Sequence, residues 1–124
     1  MDVKPMNLGD RQVIQGYGRG GFRVSGRAYE GSILVLPDRV VPLARDDVGA
    51  LDLESLEQVV AQKPPVDVLL VGCGERTALP PPPVRRGLRE AGVSTEPMPT
   101  DAACRTFNML VAEDRRVAAA LIAV

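Results

Sequence analysis

The stretch "VDVLLVGCGERTALPPPPVRRGLREAGVSTEPM", Val66–Met98, decides the fold. It opens on "VDVLLVG", an apolar run of strand length with Pro64-Pro65 before it and glycines after it, which reads as a buried strand. "PVRRGLREAG" then repeats Val84, Leu88 and Ala91 at helical spacing, and Gly92 is placed to end that helix in the left-handed conformation glycine tolerates best. "VSTEPM" is a second, short strand. The prolines Pro80 to Pro83 have fixed φ angles and make a stiff connector, with Pro83 suited to a first helical turn.

Toward the C-terminus, "TDAACRTFNMLVAEDR" is the clearest helix. Thr100 or Asp101 is placed to cap it, and Cys104, Phe107 and Val111 share one stripe. "RVAAALIAV" closes the chain as a strand of small residues that helices can approach closely. From Val66 onward the order is β-α-β-α-β, and short connections of that kind mean parallel strands with right-handed crossovers. Toward the N-terminus, "DLESLEQVVAQ" predicts a helix capped by Asp52, with Leu53, Leu56, Val59 and Val60 on one face, stopped by Pro64-Pro65. Before it, "QVIQGYGRGGFRVSGRAYEGSILVLPDRVVPL" is broken by glycines every few residues and reads as antiparallel strands. "FRVS" alternates, with Phe22 and Val24 on one face. "SILVL" is continuous and buried, Pro37-Asp38 suits a tight turn, and Pro42 makes "RVVPL" an edge strand or its end. "GYGRGG", Gly16 to Gly21, lies between strands and reads as a hairpin loop or bulge, whereas a dinucleotide loop opens a helix.

Composition narrows the function. The chain has 124 residues, most simply one domain, and a net charge of −1, which supplies no general pull toward nucleic acid or an anionic membrane. Aromatics are 3% with no Trp, which makes base-stacking platforms improbable. No apolar segment reaches the ~18 residues of a membrane span. The start, "MDVKPMNLGD", has neither the basic and apolar regions of a secretory signal nor the Arg-rich amphipathic pattern of a transit peptide. Histidine is absent, which removes Ser-His-Asp and Cys-His catalysis and histidine metal sites; two cysteines alone make a zinc site unfavourable. No cofactor or metal is expected.

Two places can still carry chemistry. Gly72, Cys73, Gly74 and Glu75 lie where a strand ends, the usual ligand position of an open α/β sheet. Thr100, Asp101, Cys104, Thr106 and Asn108 lie on the last helix, whose first turn favours an anion or a thiolate. If the sheet is parallel as read, the loop and the helix start share one end of it, and an anion held by helix N–H groups could sit between them. Each residue also has a plainer reading. Cys104 can be a small core residue, Cys73 a turn residue at the rim of a cleft, and Asn108 a buried amide that ties the helix to a loop backbone. No histidine activates either thiol, and Glu75 or Asp101 is a poor base unless strongly perturbed. Cys73 is therefore not expected to be a catalytic nucleophile. Arg85, Arg86 and Arg89 make a basic, solvated face on the middle helix.

"GVSTEPMPTDAACRTFNMLVAEDRRVAAALI" resembles the C-terminal signature of a family of small uncharacterised proteins whose relatives include mitochondrial complex I assembly factor 3 and the adipogenesis-associated domain protein of animals. The matching positions are Glu96, Met98, Thr100, Ala103, Thr106, Phe107, Asn108, Leu110, Glu113, Arg116, Val117 and Ala118. The family more often carries Tyr where Phe107 stands, so the aromatic here has no hydroxyl for polar chemistry. The segments "VDVLLVGCGERTALPPP" and "GRAYEGSILVLPDRVVPL" are also similar to the family, so the likeness covers nearly the whole chain. It implies an α/β fold: a single three-layer domain with a central mixed sheet flanked by helices and an N-terminal antiparallel β unit. That unit would cover about residues 13–44 and the β-α-β-α-β part about 66–124. The resemblance further implies respiratory-complex assembly, which is protein-interaction work. The expected protein is a cytoplasmic, bacterial, non-catalytic interaction module with a protein partner, no nucleic acid and no membrane insertion. The alternative is a small-ligand or anion-binding protein, or a thiol enzyme, with its site between the Gly72–Glu75 loop and the last helix.

Overall fold

The computed structural model describes residues 11–124. The opening decapeptide, read above as no leader, lies outside the described residues. Three strands, β1 (Ile14–Gly18), β2 (Gly21–Val24) and β3 (Arg27–Glu30), form a small antiparallel sheet. The β1–β2 link is the Gly-rich hairpin read from the sequence. Arg19 and Gly20 both take positive φ, 55° and 77°, as a two-residue hairpin between twisted strands requires. Phe22 and Val24 are buried and Arg23 exposed, as their alternation predicts.

The rest of the antiparallel stretch leaves that sheet. β4 (Ile33–Val35) and β5 (Val40–Pro42) join β6 (Val68–Gly72), β7 (Ser94–Met98) and β8 (Val117–Leu121) in a second sheet of order β5-β4-β8-β6-β7. β6 pairs in parallel with both β7 and β8, while β4 runs antiparallel to β8 and β5, so the sheet is mixed. "SILVL" is apolar on both faces and therefore needs cover on both, which a three-stranded sheet on the surface cannot give.

The five-stranded sheet separates two cores, and successive residues feed them alternately. Leu69, Val71, Ala118, Ala120 and Ile122 face Leu51, Leu56, Val59, Val84 and Leu88. These come from a 3-10 turn and its exit, a one-turn helix α1 (Glu57–Val60) and α2 (Pro82–Glu90). Val68, Leu70, Val117, Ala119 and Leu121 face α3 (Thr100–Ala112) through Ala103, Cys104, Phe107 and Val111, with Ile14, Phe22 and Val24 of the small sheet beside them. The helix–sheet–helix layering and an adjoining antiparallel β unit are those the resemblance implies, but that unit ends at Glu30 and not near residue 44, because β4 and β5 pair into the central sheet. Ala118, Ala119 and Ala120 on the central strand are fully buried; their short side chains let the helical layers close on both faces.

Three local expectations are corrected. The helix expected over Asp52–Gln62 is regular only at Glu57–Val60. Its entry winds with i→i+3 bonds, Leu56 N–H to Leu53 C=O and Glu57 N–H to Glu54 C=O, and such winding turns ~120° per residue, not ~100°. Leu56 and Val59, three apart, stay aligned and buried, while Leu53 and Val60 keep 42% and 43% of their surface. Asp52 still caps this entry, because its carboxylate accepts from Ser55 N–H at 2.8 Å. The third correction is at α3. Its N-cap is Pro99, and neither Thr100 nor Asp101 caps it, because the Thr100 hydroxyl is engaged elsewhere.

Both edges of the large sheet carry proline where the backbone faces outward. Ser94 N–H to Asp67 C=O and Cys73 N–H to Met98 C=O turn Ser94 and Met98 toward β6, which leaves Thr95 and Pro97 facing out. On the other side, Leu43 N–H to Ser32 C=O and Leu36 N–H to Arg39 C=O set the alternation that turns Pro42 outward from β5.

Candidate functional site

β6 ends at Gly72, and the chain turns through Cys73 and Gly74 directly beside the first turn of α3. Gly74 has φ +93°, in the region that favours glycine. A Cβ on Gly72 would lie 3.0 Å from the Thr100 hydroxyl oxygen, 3.0 Å from a Leu121 methyl and 3.1 Å from Thr100 Cα, so this glycine is what lets the helix start close over the strand end. Thr100 is fully buried and bonds the two together. Its N–H donates to Gly74 C=O at 2.8 Å, its hydroxyl oxygen accepts from Gly74 N–H at 2.9 Å, and its O–H donates to Ile122 C=O at 2.8 Å. The polar groups of the loop and of Thr100 thus satisfy each other, with Thr100 tying strands β6 and β8 to α3.

What stays open at this end is a shallow depression of about 260 Å³ lined by Tyr17, Gly74, Glu75, Asp101 and Val124. Glu75 and Asp101 are exposed, and two carboxylates oppose an anion that the helix start alone would attract. Asp101 also takes the N–H of Ala102 at 2.8 Å and stands 3.7 Å from Arg105.

Five of the nine residues singled out in the sequence meet here: Gly72, Gly74, Glu75, Thr100 and Asp101. Cys73 is adjacent but half-buried against the α1–α2 core, its thiol 3.1 Å from Ala78 C=O. Cys104 lies in the other core, across the sheet, so the two cysteines cannot pair. Burial, and secondarily the Asp101 charge, push the Cys104 thiol up to about 12, with Arg105 opposing weakly. Desolvation outweighs the helix-start field that would otherwise favour a thiolate. Thr106 is half-buried farther along α3. Asn108 faces β1, where its side-chain oxygen accepts from Ile14 N–H and its amide donates to Ile14 C=O, each at 2.8 Å. The amide tie was legible in the sequence; its partner is a strand, not a loop, and the residue is half-buried. Tyr17 and Val124 were missed. An exposed tyrosine between Gly16 and Gly18 was the available signal for the first. Among the described residues no three His, Cys, Asp or Glu side chains are grouped to hold a metal ion.

Residues 14–122 match the family described as protein of unknown function (DUF498/DUF598). This chain belongs to that family. An uncharacterised protein of Rhodobacter capsulatus is 38% identical over 109 residues, 88% of this chain and 82% of that protein. NADH dehydrogenase (ubiquinone) 1 alpha subcomplex assembly factor 3 of Xenopus tropicalis is 35% identical over 109 residues, which span 88% of this chain but 60% of the assembly factor. The crystal structure of an outer membrane protein from Bartonella henselae superposes with a TM-score of 0.86 at 38% identity, covering 92% of this chain and 96% of that one. Among the described residues of the present chain, no helix is long and apolar enough to cross a membrane.

Proposed function

We propose that this protein is a non-catalytic interaction module that helps assemble a larger complex, working in the bacterial cytoplasm as one domain. The observation that carries this reading is the similarity over 88% of the chain to complex I assembly factor 3. The geometry is compatible with it. At the strand end where an α/β enzyme would bind substrate, Thr100 and Gly74 are engaged with each other, and the nearest thiol in the helical layer is buried and held protonated. Affinity purification from gently lysed native extract tests it. A stoichiometric protein partner is expected, with a respiratory-complex component the foremost expectation. Repeated recovery of the protein alone overturns the reading.

A small-ligand site is the second reading, favoured by the depression between Gly74, Glu75 and Asp101 with the exposed Tyr17 on its wall. With two carboxylates there, a cationic or hydrogen-donating ligand suits it better than an anion. Titration of isotope-labelled protein with ammonium and guanidinium compounds would shift the Gly74 and Asp101 amides if this reading holds. Unmoved amides at millimolar ligand would remove it.

A further inference from the structure

Six large apolar side chains stand exposed among the described residues, and two of them, Leu53 and Val60, line one groove between α1 and α2. Its remaining walls are Ala61 and Gly87, with Glu54, Glu57 and Glu90 around them, and it encloses about 750 Å³. Gly87 is where Leu53 meets α2. A Cβ there would sit 2.6 Å from a Leu53 methyl, so the glycine in mid-helix lets the Leu53 side chain lie down on α2. Glycine inside a helix is unfavourable relative to alanine, so its presence needs such a reason. The three lining carboxylates are all exposed and form no salt bridge with the described residues. Arg45 lies near enough to Glu54 to feel its charge but lines no part of the groove. Among the described residues no cation lines the groove, in contrast to the Arg85 and Arg89 side of the same helix.

We propose that this groove docks a basic amphipathic segment of a protein partner, its apolar stripe on Leu53 and Val60 and its lysines or arginines against Glu54, Glu57 and Glu90. The proposal rests on the assembly reading and names the partner class for it. An apolar floor with a rim of one charge selects an amphipathic ligand of the opposite charge and rejects an acidic one. A second copy of this chain is the poorer occupant, because it would bring the same three carboxylates to face their equals.

The test uses isotope-labelled protein and two synthetic helical peptides with the same leucine stripe, one with lysines and one with glutamates on the polar face. The lysine peptide is expected to shift the backbone amides of Leu53, Val60 and Gly87 saturably, and more weakly as salt is added. The glutamate peptide should leave them unmoved. The triple change Glu54→Lys, Glu57→Lys, Glu90→Lys should weaken the lysine peptide about tenfold or more and admit the glutamate peptide. All three positions are exposed, and an unchanged spectrum away from the groove verifies the fold of the variant. Equal response to both peptides, shifts confined to another face, or groove shifts produced by protein concentration alone would overturn the proposal. In native extract, a partner held by the parent and held equally by the triple variant sinks the groove assignment while leaving the assembly reading intact. No partner for either sinks the reading itself.

Discussion

Asn108 gives its whole side-chain amide to one residue, accepting from Ile14 N–H and donating to Ile14 C=O. It therefore substitutes for a neighbouring strand at the outer edge of β1, in a strand whose register shifts between Ile14 and Gly16. Asn108→Ala should lower stability by about 1–3 kcal/mol, read from denaturant unfolding. Asn108→Asp should be worse at neutral pH, since a carboxylate would face the Ile14 carbonyl. If both variants unfold like the parent, the tie is not structural. Thr100 offers a sharper comparison. Thr100→Val keeps the shape but leaves the half-buried Gly74 N–H and the buried Ile122 C=O without this partner, the latter at about 1–3 kcal/mol, whereas Thr100→Ser keeps both bonds and should lie close to the parent. The thiols separate by chemistry. In native protein an alkylating reagent should label Cys73 and spare Cys104 until the chain unfolds. The Cys104 thiol, near 9.0 when free and near 12 when folded, stays protonated in the folded state over that interval while the unfolded chain ionises. Its contribution is therefore fully present below pH 9 and is lost as pH rises toward 12, with a slope of about 1.4 kcal/mol per pH unit at most. Unfolding curves of Cys104→Ala should show a shallower alkaline decline than the parent; identical slopes would show that the thiol ionises in place.

At the scale of elements, the close approach of β6 and α3 depends on Gly72. Gly72→Ala would set a Cβ against Thr100 Cα, which is backbone and cannot swing aside, so the helix start must shift. A loss of about 1–3 kcal/mol is expected, with the Gly74 and Thr100 amides displaced in the spectrum. An unchanged melting point would show that α3 is free to move outward. Where an element rests on local periodicity or on glycine and proline, it was legible. β6 and β8 follow from unbroken runs of apolar and small residues, α2 and α3 from apolar residues at helical spacing with Gly92 and Pro83 at the ends of α2, and β7 from the short stretch between the two helices. Where the outcome depends on partners distant in the chain, it was not. Nothing local in "SILVL" says that its neighbour is β8, and nothing in "DLESLEQVV" says that its entry will wind tightly enough to leave Leu53 and Val60 outside. The same limit holds for the candidate site. The meeting of Gly74 with Thr100 follows from parallel topology, but the direction of the Thr100 hydroxyl, and the arrival of Tyr17 and Val124 from both ends of the chain, depend on packing that no spacing encodes.

At the scale of the whole molecule, one mixed sheet holds two cores apart, and its outer strands both offer a proline to the surroundings. Pro42 and Pro97 occupy outward positions where any other residue would present a free N–H. An open sheet edge can be extended by a stray strand, and each addition creates a fresh edge for the next. The two imino rings break that chain reaction at both edges of the large sheet. Pro42→Val with Pro97→Val should therefore fold normally when dilute yet form growing, thioflavin-positive assemblies on concentration, while the parent stays monodisperse in sedimentation. Resistance to polymerisation at high concentration is thus the property expected of two ring closures at the margins of a sheet.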